Sequence, residues 1–173
     1  IGQVHRVHLK DGRDLALKIQ YPGVANSIDS DVGNVGVLIK MSGLLPDGFE
    51  MAPYLEAARQ QLHDETDYVQ EADQLIRFGQ LLKDEPQFTV PNVHADWSSS
   101  KVLAMDYMVG VAIEDVAKEP QAVCNQVMTD FISLALSELF EFGVMQTDPN
   151  FANYLYDPGT RKIVLLDFGA VLM

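Results

Sequence analysis

The chain has 173 residues, 47% of them hydrophobic and 21% charged, which excludes a disordered, collagen-like or coiled-coil protein and fits one domain of ordinary size or a small domain in two lobes. With 12 Lys and Arg against 25 Asp and Glu, the formal charge is −13; this argues against broad binding to nucleic acid or anionic lipid, and a bound polyanion needs a local site or a metal ion to offset it. Cys124 is the single cysteine, so there is no internal disulfide framework, no Cys-based zinc site and no sign of an oxidising compartment.

The acidity is uneven: residues 1–40 sum to +1, 41–100 to −8 and 101–173 to −6. Val4, Arg6, His8 and Lys10 alternate with His5, Val7 and Leu9, and Asp11-Gly12 supplies a turn, predicting a hairpin. Leu15-Ala16-Leu17-Lys18-Ile19 is its second strand, broken by Tyr21-Pro22-Gly23-Val24. A helix over Val32–Leu45, weakened by Gly33, Gly36 and Gly43, is expected to stop at Pro46-Asp47-Gly48.

From Met51 to Leu82 apolar residues recur at helical spacing with no Pro or Gly between Tyr54 and Phe78, predicting one long helix. Val90–His94 and Lys101–Tyr107 read as strands joined by Ser98-Ser99-Ser100, and a short helix is expected at Ile113–Ala117. Gln121–Phe142 is apolar on most faces, the pattern of a buried helix. A polar loop, Gln146–Asn153, leads into strands at Tyr154–Tyr156 and Ile163–Leu166, hinged at Asp157-Pro158-Gly159. The order predicts an α+β chain in two lobes. No apolar run reaches the ~18–20 residues of a membrane span, and no signal-peptide pattern opens the chain. It starts in the middle of what reads as structure and is taken as a piece of a longer protein.

The sharpest chemical signal is Asp148-Pro149-Asn150-Phe151-Ala152-Asn153, a hairpin, then Asp167-Phe168-Gly169. An aspartate with an asparagine five positions on and a hairpin ending in Asp-Phe-Gly matches the catalytic loop and metal-binding segment of protein kinases. Magnesium between triphosphate oxygens needs hard oxygen ligands, which Asn153 and Asp167 can offer from opposite ends of the hairpin. Asp148 can accept or orient a proton from an attacking hydroxyl. Lys18, inside an apolar strand, must escape, pair or meet an anion, because an unpaired buried charge is costly. A kinase strand lysine holds the α/β-phosphates and pairs with a helix glutamate; the candidates are the acids of Asp64-Glu65-Thr66-Asp67-Tyr68 and Glu71. On one continuous helix Glu65 and Asp67 stand about 200° apart, so only one can face a given partner. Gly2-Gln3-Val4 is what remains of a nucleotide-covering turn. Met105, with the backbone of Asp106 and Met108, is placed to meet an adenine edge at a hinge. His5, His8, His63 and His94 show no zinc spacing, and no Gly-Lys-Ser/Thr phosphate loop occurs.

These residues together resemble the UbiB/ADCK atypical protein-kinase-like family tied to ubiquinone (coenzyme Q) biosynthesis. The likeness rests on Ile1-Gly2-Gln3-Val4-His5, Ala16-Leu17-Lys18-Ile19-Gln20-Tyr21-Pro22-Gly23-Val24, Glu65-Thr66-Asp67-Tyr68 with Glu71-Ala72, Gln146-Thr147-Asp148-Pro149-Asn150 and Leu165-Leu166-Asp167-Phe168-Gly169. The Gln-Thr-Asp-Pro-Asn form is most similar to the mitochondrial and proteobacterial branch.

The resemblance implies a two-lobed protein-kinase-like α+β fold truncated at both ends, with 1–109 as the small lobe and hinge and 110–173 as the start of the large lobe. It implies ATP and Mg²⁺ as cofactors, Lys18 on the phosphates and paired with Glu65, and Asp67 and Glu71 near the nucleotide. Asp148 takes the catalytic-loop role, and Asn153 and Asp167 bind magnesium. The implied partners are a lipid or quinone precursor and proteins of coenzyme Q biosynthesis. The implied location is the mitochondrial inner-membrane face or the bacterial cytoplasm and inner-membrane face, with membrane attachment through segments outside these residues. The family's alanine-rich loop and Lys-x-Gly-Gln extension precede Ile1. The rival reading is a non-catalytic pseudokinase-like scaffold; a more distant one is a small-molecule phosphotransferase of the aminoglycoside or choline type.

Overall fold

The structure is a computed structural model that describes residues 1–43, 45–46, 48–148 and 150–172. Leu44 and Asp47 of the expected helix stop, Pro149 of the loop motif and Met173 lie outside the described residues.

Strand β1 (Gly2–His8) turns at Asp11-Gly12 into β2 (Asp14–Gln20), pairing Val4 with Lys18 and Gly2 with Gln20. Helix α1 (Val24–Ser42) begins eight residues before the expected start. Gly23, at φ 81°, turns the chain into the helix directly after Tyr21-Pro22, a conformation that glycine adopts without steric cost. Gly36 does not weaken α1 so much as let α2 approach: a Cβ there would lie 2.6 Å from Leu55 Cδ1.

The long helix expected over 51–82 is two helices, α2 (Ala52–Asp64) and α3 (Tyr68–Leu81). The break is built by side chains rather than by Pro or Gly. Asp67 Oδ1 accepts the backbone N–H groups of Val69 and Gln70, satisfying two donors of the new helix. Thr66 Oγ1 donates to the carbonyl of His63, and the buried Gln20 amide donates to the carbonyl of Thr66. Asp67→Ala is expected to cost about 1 kcal/mol, the usual loss for an N-cap, read as a lower urea midpoint.

β3 (Phe88–Thr89) is followed by an isolated bridge from Val93 to Met105 in place of the expected strand at 90–94. β4 (Val102–Asp106) completes a three-stranded antiparallel sheet, β1-β2-β4. Lys18 therefore sits on the middle strand, between Val4 and Leu103, so an edge lysine reaching freely into solvent is excluded. The second sheet has the order β3-β8-β7-β5, from β5 (Val111–Ala112), β7 (Tyr154–Asp157) and β8 (Lys162–Leu165). A short 3-10 turn spans Ile113–Lys118.

Helix α4 (Gln121–Ser137) runs into one π-helical turn, Glu138–Phe142, closed by Gly143 at φ 61°. Within the described residues this helix, expected to be buried, is covered on one side only. Val127 and Leu134 face the core, but Met128, Ile132, Leu136, Leu139 and Phe140 are exposed; the described residues supply a packing layer on one side only. β6 (Met145–Gln146) pairs with β9 (Val171–Leu172). One hydrophobic cluster runs from Leu75, Phe78 and Leu82 through Leu103 and Met105 to Val127, Leu134, Ile163, Leu165 and Phe168, so both sheets share a core. No described helix is long and apolar enough to cross a membrane.

Candidate active site

Lys18 organises the cleft. Its Nζ lies 2.7 and 2.8 Å from the two carboxylate oxygens of Glu71 and 3.0 Å from Asp167 Oδ2. Helix α3 buries Tyr68, Glu71, Leu75 and Phe78 along one stripe, and Glu71, 1% exposed, is the charged member of that stripe. The partner of Lys18 is thus Glu71 and not Glu65. The break at 65–67 leaves Glu65 at the end of α2, while Glu71 lies one turn into α3 and faces the strand.

Burial works against the Lys18 charge, but Glu71 and Asp167 together hold its proton affinity above the ordinary lysine range. Burial pushes the Glu71 carboxyl up to about 7, with Asp167 adding to the effect and Lys18 opposing it. Both Glu71 oxygens lie within hydrogen-bond distance of the ammonium, the geometry that opposes this rise.

The Asp148 loop is held from inside. Asp148 Oδ2 accepts from Asn153 Nδ2 at 2.7 Å and Oδ1 from the Asn150 amide at 3.2 Å. Thr147 ties the loop to the segment after Asp-Phe-Gly, its N–H and Oγ1 both bonding Ala170 O, at 3.0 and 3.2 Å. Asp167 Oδ1 accepts the Gly169 amide at 2.8 Å. Phe168 is buried against Phe78, ring centroids 4.4 Å apart, anchoring the segment to α3.

Two adjoining hollows meet at Lys18, Asn153 and Asp167. One, about 380 Å³, is lined by Gly2, Val4, Glu65, Tyr68, Asp148 and Asn150 among others. The second, about 310 Å³, has Val4 and Ala16 with Met105, Asp106, Met108 and Leu155. Gln3 is exposed and alternates away from Gly2 and Val4, so it does not line either hollow. Asp67 is likewise exposed, lines neither hollow, and uses its Oδ1 as the α3 cap. The Asp106 N–H donates to Asn92 O, and its carboxylate bonds Asn92 and His94, so its amide is not available to a purine. A larger hollow of about 550 Å³, between α3 and residues 85–93, contains neither Lys18 nor the loop carboxylates.

The donor set suits a hard divalent cation that arrives with phosphate oxygens. Asn153 spends its Nδ2 on Asp148, leaving its carbonyl oxygen as a ligand. The Glu65 carboxyl is pushed up by burial and by the charges of Asp167 and Asp148, a mark of clustered negative charge. Among the described residues no three His, Cys, Asp or Glu side chains form a ready-made metal cluster.

A polar group below the loop escaped the sequence reading. The carboxylate of Glu138, on the π turn, accepts the Gln146 N–H at 3.2 Å, and the Tyr154 hydroxyl donates to Gln146 Oε1 at 2.8 Å. Gln146 is thus pinned from two sides, two residues before Asp148. Burial, then the Glu138 charge, pushes the Tyr154 hydroxyl up to about 12, so it remains a donor. Burial pushes the Glu138 carboxyl up to about 7. The folded chain then holds a proton there that the unfolded chain releases near 4.5, so this contribution to stability is present at low pH and lost as pH rises through about 7. Glu138→Gln, which keeps an acceptor, is expected to match the parent near pH 4.5 and exceed it by about 2–3 kcal/mol at pH 8. Urea midpoints across that range measure the difference.

The geometry agrees with the comparisons. The model of the ABC1 atypical kinase-like domain matches residues 1–173. The chain belongs to that family. It is 47% identical over 170 residues to the rat "Atypical kinase COQ8B, mitochondrial", covering 98% of this chain and 32% of the relative. Against the Saccharomyces cerevisiae "Atypical kinase COQ8, mitochondrial" the identity is 44%, over 98% of this chain and 34% of the relative. The ABC1 domain described here thus spans about a third of the length of these relatives. Among solved structures, Rv3197 of Mycobacterium tuberculosis in complex with erythromycin superposes with a TM-score of 0.80 at 28% identity, over 99% of this chain and 44% of that one. The two-lobed, kinase-like α+β architecture is that of an atypical kinase domain.

Proposed function

We propose that this domain forms the cleft in which the full protein binds Mg-ATP, between a small lobe of residues 1–109 and a large lobe beginning at 110, and hydrolyses it or transfers its γ-phosphoryl group in support of coenzyme Q biosynthesis. The observation that carries this reading is Lys18, on the middle strand of one sheet, bonded at once to Glu71 of α3 and to Asp167 beside the other sheet.

In this reading Lys18 meets the phosphates while Glu71 holds its ammonium in place. Val4, Ala16, Met105 and Leu155 enclose the base. Asn153 and Asp167 would hold magnesium, which neutralises charge on the transferring phosphate when bound. Asp148, its two oxygens fixed by Asn150 and Asn153, orients the attacking hydroxyl or water and receives its proton. Catalysis is then mostly positioning and charge stabilisation. The names of the relatives support a mitochondrial location; the acceptor belongs to the chemistry of a lipid or quinone precursor, or is water.

The test is a thermal-shift titration of the full-length protein with ATP, with and without Mg²⁺, beside Lys18→Ala and Asp167→Asn checked for folding. At 100 times the dissociation constant a specific ligand adds about 2.7 kcal/mol. A metal-dependent shift weakened in both variants is expected; no shift in a folded parent protein overturns the reading. Asp148→Asn then separates an enzyme from a scaffold: turnover falls while nucleotide binding persists.

A further inference from the structure

Tyr68 opens α3, and its side chain is 1% exposed, yet its hydroxyl has no hydrogen-bond partner among the described residues. A buried donor without an acceptor is costly and rare. This one does not lie at random in the core. Lys18 Nζ stands 5.4 Å from the ring centroid, and Tyr68 lines the same hollow as Lys18, Asp148, Asn153 and Asp167. Over the hydroxyl lies Gly2, where a Cβ would fall 2.5 Å from the tyrosine oxygen and 2.5 Å from Ile19 O. The absence of a side chain at residue 2 is what allows β1 to close onto the hydroxyl.

We propose that Tyr68 is a phosphate-binding residue, its hydroxyl donating to a β- or γ-phosphate oxygen of the nucleotide, which requires Gly2 to move off the hydroxyl it covers. The inference rests on the nucleotide reading above and deepens it. The hollow is rich in acceptors: Glu65, Asp148 and Asp167 are all carboxylates. An anionic group entering it needs donors, and Lys18 is already shared between two carboxylates. Tyr68 offers a buried donor that is not spent among the described residues. Its hydroxyl proton is firmly held, since burial raises its affinity and Glu71 and Asp167 add to this against Lys18. The same ring that carries the hydroxyl lies beneath the Lys18 ammonium, so one side chain serves the cation with its face and the phosphate with its tip.

The test is calorimetric titration of the full-length protein with Mg-ATP and with adenosine, comparing the parent, Tyr68→Phe and Lys18→Ala, with the Tm of each free protein recorded. Tyr68→Phe should bind Mg-ATP roughly tenfold more weakly, the worth of a hydrogen bond to a charged group. Its affinity for adenosine should not change, and its free-state Tm should be equal or higher, because only an unpaired hydroxyl is lost. Unchanged ATP affinity overturns the proposal, as does an equal loss for ATP and adenosine. A Tyr68→Phe protein that melts lower or fails to fold also overturns it, since the hydroxyl would then have a structural partner. If the parent binds neither ligand, the nucleotide reading itself falls. If Lys18→Ala weakens ATP and Tyr68→Phe does not, the nucleotide reading stands and this one alone fails.

Discussion

Glu71→Ala is expected to cost about 3 kcal/mol of folding stability, while Glu65→Ala, on the same acidic run, is expected to change it by less than about 0.5 kcal/mol. The difference follows from what each carboxylate touches. Glu71 is buried, and both its oxygens lie within 2.8 Å of the Lys18 ammonium; its removal leaves that ammonium with Asp167 as its one carboxylate partner among the described residues. The cost stays near the low end for a broken buried pair because Asp167 remains. Glu65 has no ion pair among the described residues and sits near the charges of Asp167 and Asp148, so its loss relieves some repulsion. Urea unfolding followed by circular dichroism measures both. The double variant Lys18→Met with Glu71→Ala should be less destabilised than the sum of the singles, because neither member of the buried pair is left without the other and only the partly exposed Asp167 loses its cation. Equal costs for Glu65 and Glu71 would mean that the ion pair is not the one described.

Phe168→Ala should be the second large effect, at about 3–4 kcal/mol. The ring is buried and packs on the fully buried Phe78 at 4.4 Å between centroids, 34° between planes. Removing it opens a cavity in the cluster shared by the two sheets and frees the segment that presents Asp167. A double-mutant cycle with Phe78→Ala should give a coupling of about 0.5–1.5 kcal/mol. Phe168→Leu should recover most of the loss, as a side chain of similar volume does in a core. A cost below about 1 kcal/mol for Phe168→Ala would show that the ring does not join α3 to the Asp167 segment.

The distal half of the site was legible because its residues are close in sequence. Asp148, Asn153 and Asp167 lie on one loop and one hairpin, so spacing alone brings them together. Lys18 was legible for another reason: a charge within an apolar strand demands a partner. Which partner was not legible, because it depended on whether 51–82 is one helix or two. The information was present. Asp67-Tyr68-Val69-Gln70 has the form of a helix start, an N-cap followed three residues later by Gln, and Tyr68, Glu71, Leu75 and Phe78 mark a single stripe. Without that break, charge spacing left Glu65, Asp67 and Glu71 all open, and the pairing with Glu65 came from the family resemblance alone. The burial of α4 was legible only in part. An all-round apolar helix signals burial only where a second layer covers it, and local sequence does not say where that layer is. Glu138 was missed because its role depends on a π turn, and nothing in Glu138–Phe142 distinguishes that turn from ordinary helix.

The turn at Glu65-Thr66-Asp67 also divides the chain's resistance to local opening. Helix α2 has no buried residue, and α1 buries only Ile28, Val32 and Gly36, whereas α3, immediately after the turn, is fixed by Tyr68, Leu75 and Phe78 in the common core. Backbone amides on the two sides of three residues should therefore exchange with deuterium on different schedules. Those of α1 and α2 should open together and early, as one small cooperative unit, and those of α3 only when the whole domain unfolds. The residues that hold Lys18 in place belong to the slow unit, and the α1–α2 pair can rearrange without disturbing them.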